Sequence, residues 1–308
     1  MTAVALIPFV TSLLLTVSGG RLGRRLPPAA ATRLLTTACL VTALATGFIL
    51  AVAAFTLLAP LPPLTAIGHW SAAVVRGHDP LPATAGLLPA FTVAGLAASA
   101  ARRAVLVGQD LAAAEFTCRR LGPAPTGLVI VDDDHPDAYT LPGLTGRIVV
   151  STAMLRALPA DERRVLLAHE HSHLRHRHHA YTQLASLAAA ANPLLRTPAA
   201  AVRLAVERWA DEDAATIADD RAVVARALAR AGLARTSTLT TPTVALGAVH
   251  TDLAHRARAL LGPPPKPRPA LAIALAALVL VTAAAAVDTA HTTEGRFERA
   301  QATYAHRS

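Results

Sequence analysis

Two histidines and a glutamate in the stretch HEHSH have the types and spacing of a hydrolytic metal site. His169 and His173 are four residues apart, so on a helix both imidazoles project from one face and can share one Zn²⁺. Glu170 follows the first histidine, where its carboxylate can take a proton from a metal-bound water. The HExxH pattern therefore predicts two zinc ligands and a general base on one helix.

A histidine-rich, solvated helix can produce the same five residues by chance, because six of the 13 histidines lie between 169 and 179. A third ligand would distinguish a zinc site from a chance match, because catalytic zinc has three protein ligands and an open position. His179 has the spacing of the metzincin pattern HExxHxxGxxH, but that pattern needs glycine where this chain has His176, and no methionine follows Met154 to form a Met-turn. We interpret four histidines as the solvated, basic continuation of the helix: His171, His176, His178 and His179.

The other third ligand is Glu207, in the segment VERWADEDA. Asp211 is four residues further on, and the residues that precede them on this helix face are apolar, which favours an inward-facing acid pair. The alternative is a surface acidic cluster, because residues 212 and 213 are also acidic. We predict Glu207 as the third zinc ligand and Asp211 as the acceptor of a hydrogen bond from a ligand imidazole.

The sequence does not assign the group that stabilises the tetrahedral oxyanion. Three residues have suitable donors, each with a purely structural role as its alternative: Tyr139, His250 and Arg256.

Composition places this site in a membrane protein. Of the 308 residues 53% are hydrophobic, and the mean hydropathy is +0.42. Four apolar stretches approach the ~20 residues that cross a bilayer: 2–19, 34–59, 83–101 and 270–287. None contains His, Asp, Glu, Lys or Arg, which argues against a metal transporter with ligands inside its spans.

The basic residues indicate topology rather than nucleic-acid binding. The net charge of +9 comes from arginines that flank the apolar stretches and not from a nucleic-acid reading motif. Because cytoplasmic flanks carry the Lys/Arg excess, both termini are predicted to lie outside, the first stretch being an anchor. The chain then divides into three spans (1–103), a cytoplasmic zinc peptidase domain (104–268), and a last span with a short external tail (269–308). With only Cys39 and Cys118, no disulfide framework is expected.

Within the domain, 127–131 and 147–151 are predicted strands, and a helix is predicted from about 159 to 179. A second long helix is signalled by Thr197-Pro198. Between the two helices, residues 184–195 are apolar but too short to span. They either lie against the bilayer or belong to the core, and we favour the core.

The combination of HEHSH, NPLL (192–195) and ExxAD (207–211), preceded by GRIVVS (146–151) and a loop with Asp137-Ala138-Tyr139, resembles the integral-membrane gluzincin peptidases. The similarity covers about 83–288. The NPLL segment and the order of three spans, zinc domain and last span are similar to the β-lactam sensor-transducer type, the BlaR/MecR antirepressors. The prenyl-protease and heat-shock membrane protease type is the competing relative.

The resemblance implies a mainly α multi-pass protein with a small β-sheet and a gluzincin-like domain between the third and fourth spans. It also implies a zinc endopeptidase that cleaves cytoplasmic or membrane-proximal proteins, including a transcriptional repressor in a signalling pathway. A peptide substrate is expected to lie extended against the RIVVS edge. Only about twenty residues follow the last span, without an SxxK motif, so no penicillin-binding sensor is expected and any sensor or repressor is expected to be a separate partner. A quality-control protease and an inactive receptor that retains the fold are the alternatives.

Overall fold

The structure, a computed structural model, describes residues 3–76, 82–143, 146–236 and 243–305. Within these ranges the chain is mostly helical with one small sheet, which confirms the predicted fold class. The helices are α1 (Ile7–Arg25), α2 (Pro28–Leu58), α3 (Pro62–Gly68), α4 (Ala72–Arg76), α5 (Leu87–Arg120), α6 (Thr152–Ala157), α7 (Ala160–Arg175), α8 (His178–Ala191), α9 (Arg196–Ala218), α10 (Arg221–Thr236), α11 (Thr243–Leu261) and α12 (Pro269–Ala305). The strands are β1 (Leu128–Val131), β2 (Ala138–Leu141) and β3 (Arg147–Ser151). Short 3₁₀ turns cover Ala3–Leu6, Ala83–Gly86 and Pro193–Leu195.

Four of the described helical segments are long and apolar enough to cross a membrane: Ala3–Arg25, Pro28–Leu58, Thr84–Arg120 and Pro269–Ala305. They contain the four apolar stretches of the sequence. The last two are 37 residues long, so each continues well past the ~20 residues that a bilayer requires. The end of α12 is therefore helix where the sequence suggested only a tail, and the amide of Ser71 donates to its Ala300 carbonyl at 3.0 Å.

The membrane helices and the peptidase helices share one apolar core. It joins α1 and α2 to α8, the first half of α9, and α12; its fully buried residues include Leu15, Leu35, Ala185, Leu195 and Val202. Within the segment 184–195, Ala185, Ala188 and Leu195 belong to this core, and the neighbours that bury them are membrane helices, whereas Leu184 and Leu194 are exposed.

The sheet has the order β1-β3-β2, with β1 parallel and β2 antiparallel to the central β3. β2 occupies what the sequence suggested was a loop, because its four residues are too few to show an alternating pattern. RIVVS is paired on both sides, so the expectation that a peptide adds to its edge is wrong. Within the described ranges, the edge of β2 that faces away from β3 pairs with no other strand.

The helix expected from about 159 to 179 is in fact two helices. α7 ends at Arg175, and Arg177 takes a left-handed conformation (φ 51°) before α8 begins at His178. A non-glycine residue at this φ is strained, and the strain is offset by burial of the side chain that follows, since His178 is 1% exposed. α9 begins at Arg196, one residue before the predicted cap.

Candidate active site

Helices α7 and α9 bring His169, His173 and Glu207 together at one end of a cavity. The two Nε2 atoms are 3.1 Å apart, and each lies 3.7 Å from an oxygen of Glu207. A tetrahedral zinc with bonds of about 2.0–2.1 Å separates its ligand atoms by about 3.3 Å. These three side chains therefore fit one metal ion, and they form the metal-binding cluster found among the described residues.

Asp211 and Arg256 lie behind the cluster. The carboxylate of Asp211 is 3.1 Å from Nδ1 of His169, and the Arg256 guanidinium donates to both of its oxygens at 2.7 and 2.8 Å. Arg256 also reaches Glu207 at 2.9 Å. α11 thus supplies a buried cation that neutralises two acids of α9.

The electrostatics follow from these contacts. Burial opposes a charge on His169, but the carboxylates of Asp211 at 3.1 Å and Glu207 at 3.7 Å outweigh it and raise its pKa to about 9. Burial, with the charge on His169, lowers the pKa of His173. Burial disfavours ionised Glu207, yet the adjacent His169 imidazole and the Arg256 charge hold its pKa well below the usual range.

Glu170 points into the same cavity and is 7% exposed. The Thr140 hydroxyl, on β2, lies 2.8 Å from its Oε2 and 3.1 Å from its backbone carbonyl. β2 therefore holds the carboxylate that the sequence predicts as general base. The sequence reasoning missed Thr140, because nothing local links it to a helix 30 residues away.

Two histidines predicted to be solvated are not. Nδ1 of buried His178 lies 3.1 Å from Nδ1 of His173, so it contacts a predicted ligand directly. His176 pairs with Asp213 at 3.0 Å and stacks on Trp209 with ring centroids 4.5 Å apart. Both corrections come from the turn at Arg177, which directs these rings inward.

The other residues singled out in the sequence lie at different distances from the metal cluster. His171 is exposed and His179 only half-buried, and neither belongs to the metal cluster. Tyr139 lines the cavity beside the cluster, and burial raises the pKa of its phenol. The side chain of His250 lies outside the described residues. Glu212 pairs with Arg221, and Asp213 contacts Ser172 and His176, so these two acids are partnered rather than free on the surface.

The cavity has a volume of about 750 Å³ and runs from the metal cluster to an apolar wall. That wall is built mainly from α7, α9 and α10, with Leu166, Leu204, Val224 and Leu228 among its residues. Its size and lining suit a peptide side chain beside the cluster.

Comparison with known proteins decides the family. Residues 107–263, just over half of the chain, match Peptidase family M48. The chain belongs to Peptidase family M48. A protein described as Protease HtpX homolog, from Aeropyrum pernix, is 38% identical over 79 residues, which cover 24% of this chain and 25% of that protein. The match thus spans only a quarter of the relative's length. No solved structure matches.

The chain thus combines an M48 peptidase region with four helices that are long and apolar enough to cross a membrane. The match lies inside 104–268, where the sequence places the peptidase domain.

Proposed function

We propose that this M48 peptidase is a membrane-bound zinc endopeptidase. The observation that carries the proposal is the convergence of two imidazoles, a carboxylate and a separate buried Glu170 on one cavity. Two nitrogen donors and one oxygen donor suit zinc, whereas magnesium and calcium prefer oxygen ligands throughout. His169, His173 and Glu207 would hold the ion, which supplies a water of lowered pKa and polarises the scissile carbonyl.

The chain's own groups divide the remaining work. Glu170 takes the proton of the attacking water and passes it to the leaving amine, while Thr140 fixes one of its oxygens. Asp211 and His178 each hold the outer nitrogen of one ligand imidazole, which orients the ring. Arg256 positions Glu207 and Asp211, and its engagement with both acids suits this role better than oxyanion stabilisation. Tyr139 and His250 stay predictions for that last role.

The substrate is expected to bind as an extended strand along the outer edge of β2. Residues of β2, including Thr140, line the cavity, and a peptide paired with the strand gains backbone hydrogen bonds beside it. The apolar wall then receives the side chain next to the scissile bond.

The arginine pattern places this domain in the cytoplasm, with both termini outside. In support, the ends of three spans contact peptidase helices, two of them through basic side chains and one through a backbone carbonyl. Arg33 lies over the Trp209 ring at 4.7 Å, Arg103 donates to Gln183 and Ser186 at 2.6 and 2.8 Å, and the Gly23 carbonyl at the end of α1 accepts from Arg208.

Two substrate classes stay open. The NPLL segment and the order of spans favour cleavage of a repressor in a signalling pathway, with a separate sensor. The similarity to a Protease HtpX homolog favours a quality-control protease of the heat-shock type, and we give it equal weight. The complete set of ligands, base and supporting groups argues against an inactive receptor.

The test compares Glu170→Gln with the unchanged protein. The variant should keep one tightly bound zinc and lose cleavage, whereas Glu207→Ala should lose the zinc. His171→Ala, on the exposed face of the same helix, is the matched control and should do neither. Proteomics of cells that express each form would identify fragments produced only by the active protein. Fragments of a repressor would favour the signalling role, and fragments of damaged membrane proteins would favour the quality-control role. Cleavage by Glu170→Gln would refute the mechanism.

A further inference from the structure

Residues 183–202 form an apolar helical hairpin, which we call the hairpin. It consists of the end of α8, the turn Pro193–Leu195 and the start of α9, and it reads QLASLAAAANPLLRTPAAAV. Arg196 is its only charged residue. The M48 assignment says nothing about where this segment lies relative to the bilayer.

The tip of the hairpin bonds to the middle of two membrane helices. The Asn192 amide donates to the Ser12 hydroxyl at 2.9 Å and is 3.5 Å from that of Thr46. The Thr16 hydroxyl donates to the Leu194 carbonyl at 2.6 Å. Polar groups of the turn are thus satisfied by α1 and α2, which is the condition for non-helical backbone inside a membrane.

The depth of the tip follows from helix rise. Ser12 lies 12 residues from Arg24 on α1, and Thr46 lies 13 residues from Arg33 on α2. At 1.5 Å per residue, both lie about 18–20 Å from arginines that mark the headgroup level. Half of the hydrocarbon layer is about 15 Å thick, so Asn192 lies close to the bilayer midplane.

The packing of the hairpin against α1 also indicates that it lies within the membrane. A Cβ on Gly19 would lie 2.8 Å from Cβ of Pro198, and one on Gly23 would lie 3.1 Å from that of Ala201. Glycines four apart that admit a second helix at this distance are the packing mode of membrane helices. The hairpin therefore runs alongside α1 within the span, not above it.

We propose that the hairpin is a re-entrant membrane element that reaches the bilayer midplane from the cytoplasmic side. Leu184 and Leu194, which are 40% and 41% exposed, face lipid. Arg196 begins the limb that returns to the cytoplasm, and a charge at this depth is the main energetic cost of the placement.

The hairpin also fixes the height of the metal cluster. Glu207 lies 14 residues beyond Pro193, so it is about 21 Å above the tip and about 6 Å outside the hydrocarbon. Trp209 and Arg33, which are in contact, lie at the same level. This step rests on the proposed function: the enzyme cuts chains anchored in the bilayer, within a few residues of the headgroups.

Spin-label depth measurements test the hairpin without reference to activity. Single cysteines replace Leu194, Leu184, Leu14 of α1 and Ile217 of α9 in full-length Cys39→Ala/Cys118→Ala protein, reconstituted in phospholipid vesicles. Collision rates with oxygen and with a water-soluble nickel chelate then give depth. Leu194 should match Leu14 near the midplane, Leu184 should be shallower, and Ile217 should be exposed to the chelate. Chelate access at both Leu194 and Leu184 equal to that at Ile217 would overturn the proposal.

The height of the site is tested with one cleavable segment placed at increasing distances from a membrane anchor, and with the same segment in a soluble protein. Cleavage should fall at least tenfold when the spacer exceeds about ten residues, and the soluble form should be cut as poorly. Equal cleavage of all forms would overturn the placement of the site. If nothing is cleaved while Leu194 still lies at the midplane, the proposed peptidase function fails and the hairpin stands.

Discussion

His178 offers the sharpest test of how the site is held. If His173 binds zinc through Nε2, its Nδ1 carries the proton and donates it to Nδ1 of His178, 3.1 Å away. The proton of His178 is then on Nε2, which is buried and makes no hydrogen bond to the described part of the chain. A ligand imidazole more commonly donates to a carboxylate or carbonyl. A neutral imidazole is a weaker acceptor, but here it fixes the ring of His173.

The perturbation is His178→Leu, which keeps an apolar volume and removes the acceptor. A neutral hydrogen bond contributes about 1 kcal/mol, and loss of such an outer partner typically weakens metal binding about 10–100-fold. We expect the zinc dissociation constant to rise about tenfold at neutral pH. His178→Asp should restore tight binding or improve it, because a carboxylate accepts the same proton more strongly.

The assay is competition for zinc with a chromophoric chelator in detergent-purified protein. His179→Leu is the control, since it changes the neighbouring ring, which lines the cavity but is not in contact with His173 among the described interactions. Thermal unfolding of the metal-free proteins separates lost zinc affinity from lost stability. A dissociation constant within twofold of the unchanged protein, for a His178→Leu variant of normal stability, would refute the reasoning.

Three further predictions follow from the contacts around the site. Arg256→Met leaves buried Asp211 and partly exposed Glu207 without their cation, so it should lower the free energy of unfolding of the metal-free protein by about 3 kcal/mol, while exposed Arg258→Met should change it little in a chemical denaturation series. Thr140→Val frees one oxygen of the general base and should reduce kcat about tenfold with KM nearly unchanged; a change confined to KM in steady-state kinetics would contradict the assignment. Gly19→Ala places a methyl 2.8 Å from a proline carbon and should lower the thermal unfolding temperature, whereas Gly20→Ala, whose nearest neighbour is a flexible arginine at 3.5 Å, should not.

The sequence predicted the parts of the site that depend on helical period. His169 and His173 share a face because they are four apart, and Glu207 and Asp211 share one for the same reason. To predict that the two residues of a pair share a face, it is enough to predict the one helix that carries them. The prediction of Glu207 as the third ligand also required that its helix pack against the helix of the two histidines. The apolar residues that precede Glu207 on the same face indicated this packing.

The missed residues depend on contacts that no local pattern encodes. His178 turns inward because the chain changes direction at Arg177. No glycine marks this turn in the sequence, so the histidine-rich run was predicted to continue as a solvated helix. Thr140 lies on a strand of four residues, too short for alternation to reveal. The central position of β3 depends on which strands pair with it, and that is a property of the sheet rather than of RIVVS.

The two helices that support the candidate metal site are continuous with the hairpin, and this links the proposed membrane element to the proposed chemistry. α8 begins with His178, the partner of one proposed ligand, and α9 carries Glu207, the proposed third ligand. Their separation at the site is therefore set by how the limbs are held below, through Asn192 at the tip and Pro198 against α1. Gly19→Ala, which displaces Pro198 on α9, should weaken zinc binding at Glu207, about 14 Å further along the same helix. Its effect on zinc affinity, compared with that of Gly20→Ala, measures how far the packing of the hairpin against α1 determines the geometry of the candidate metal site.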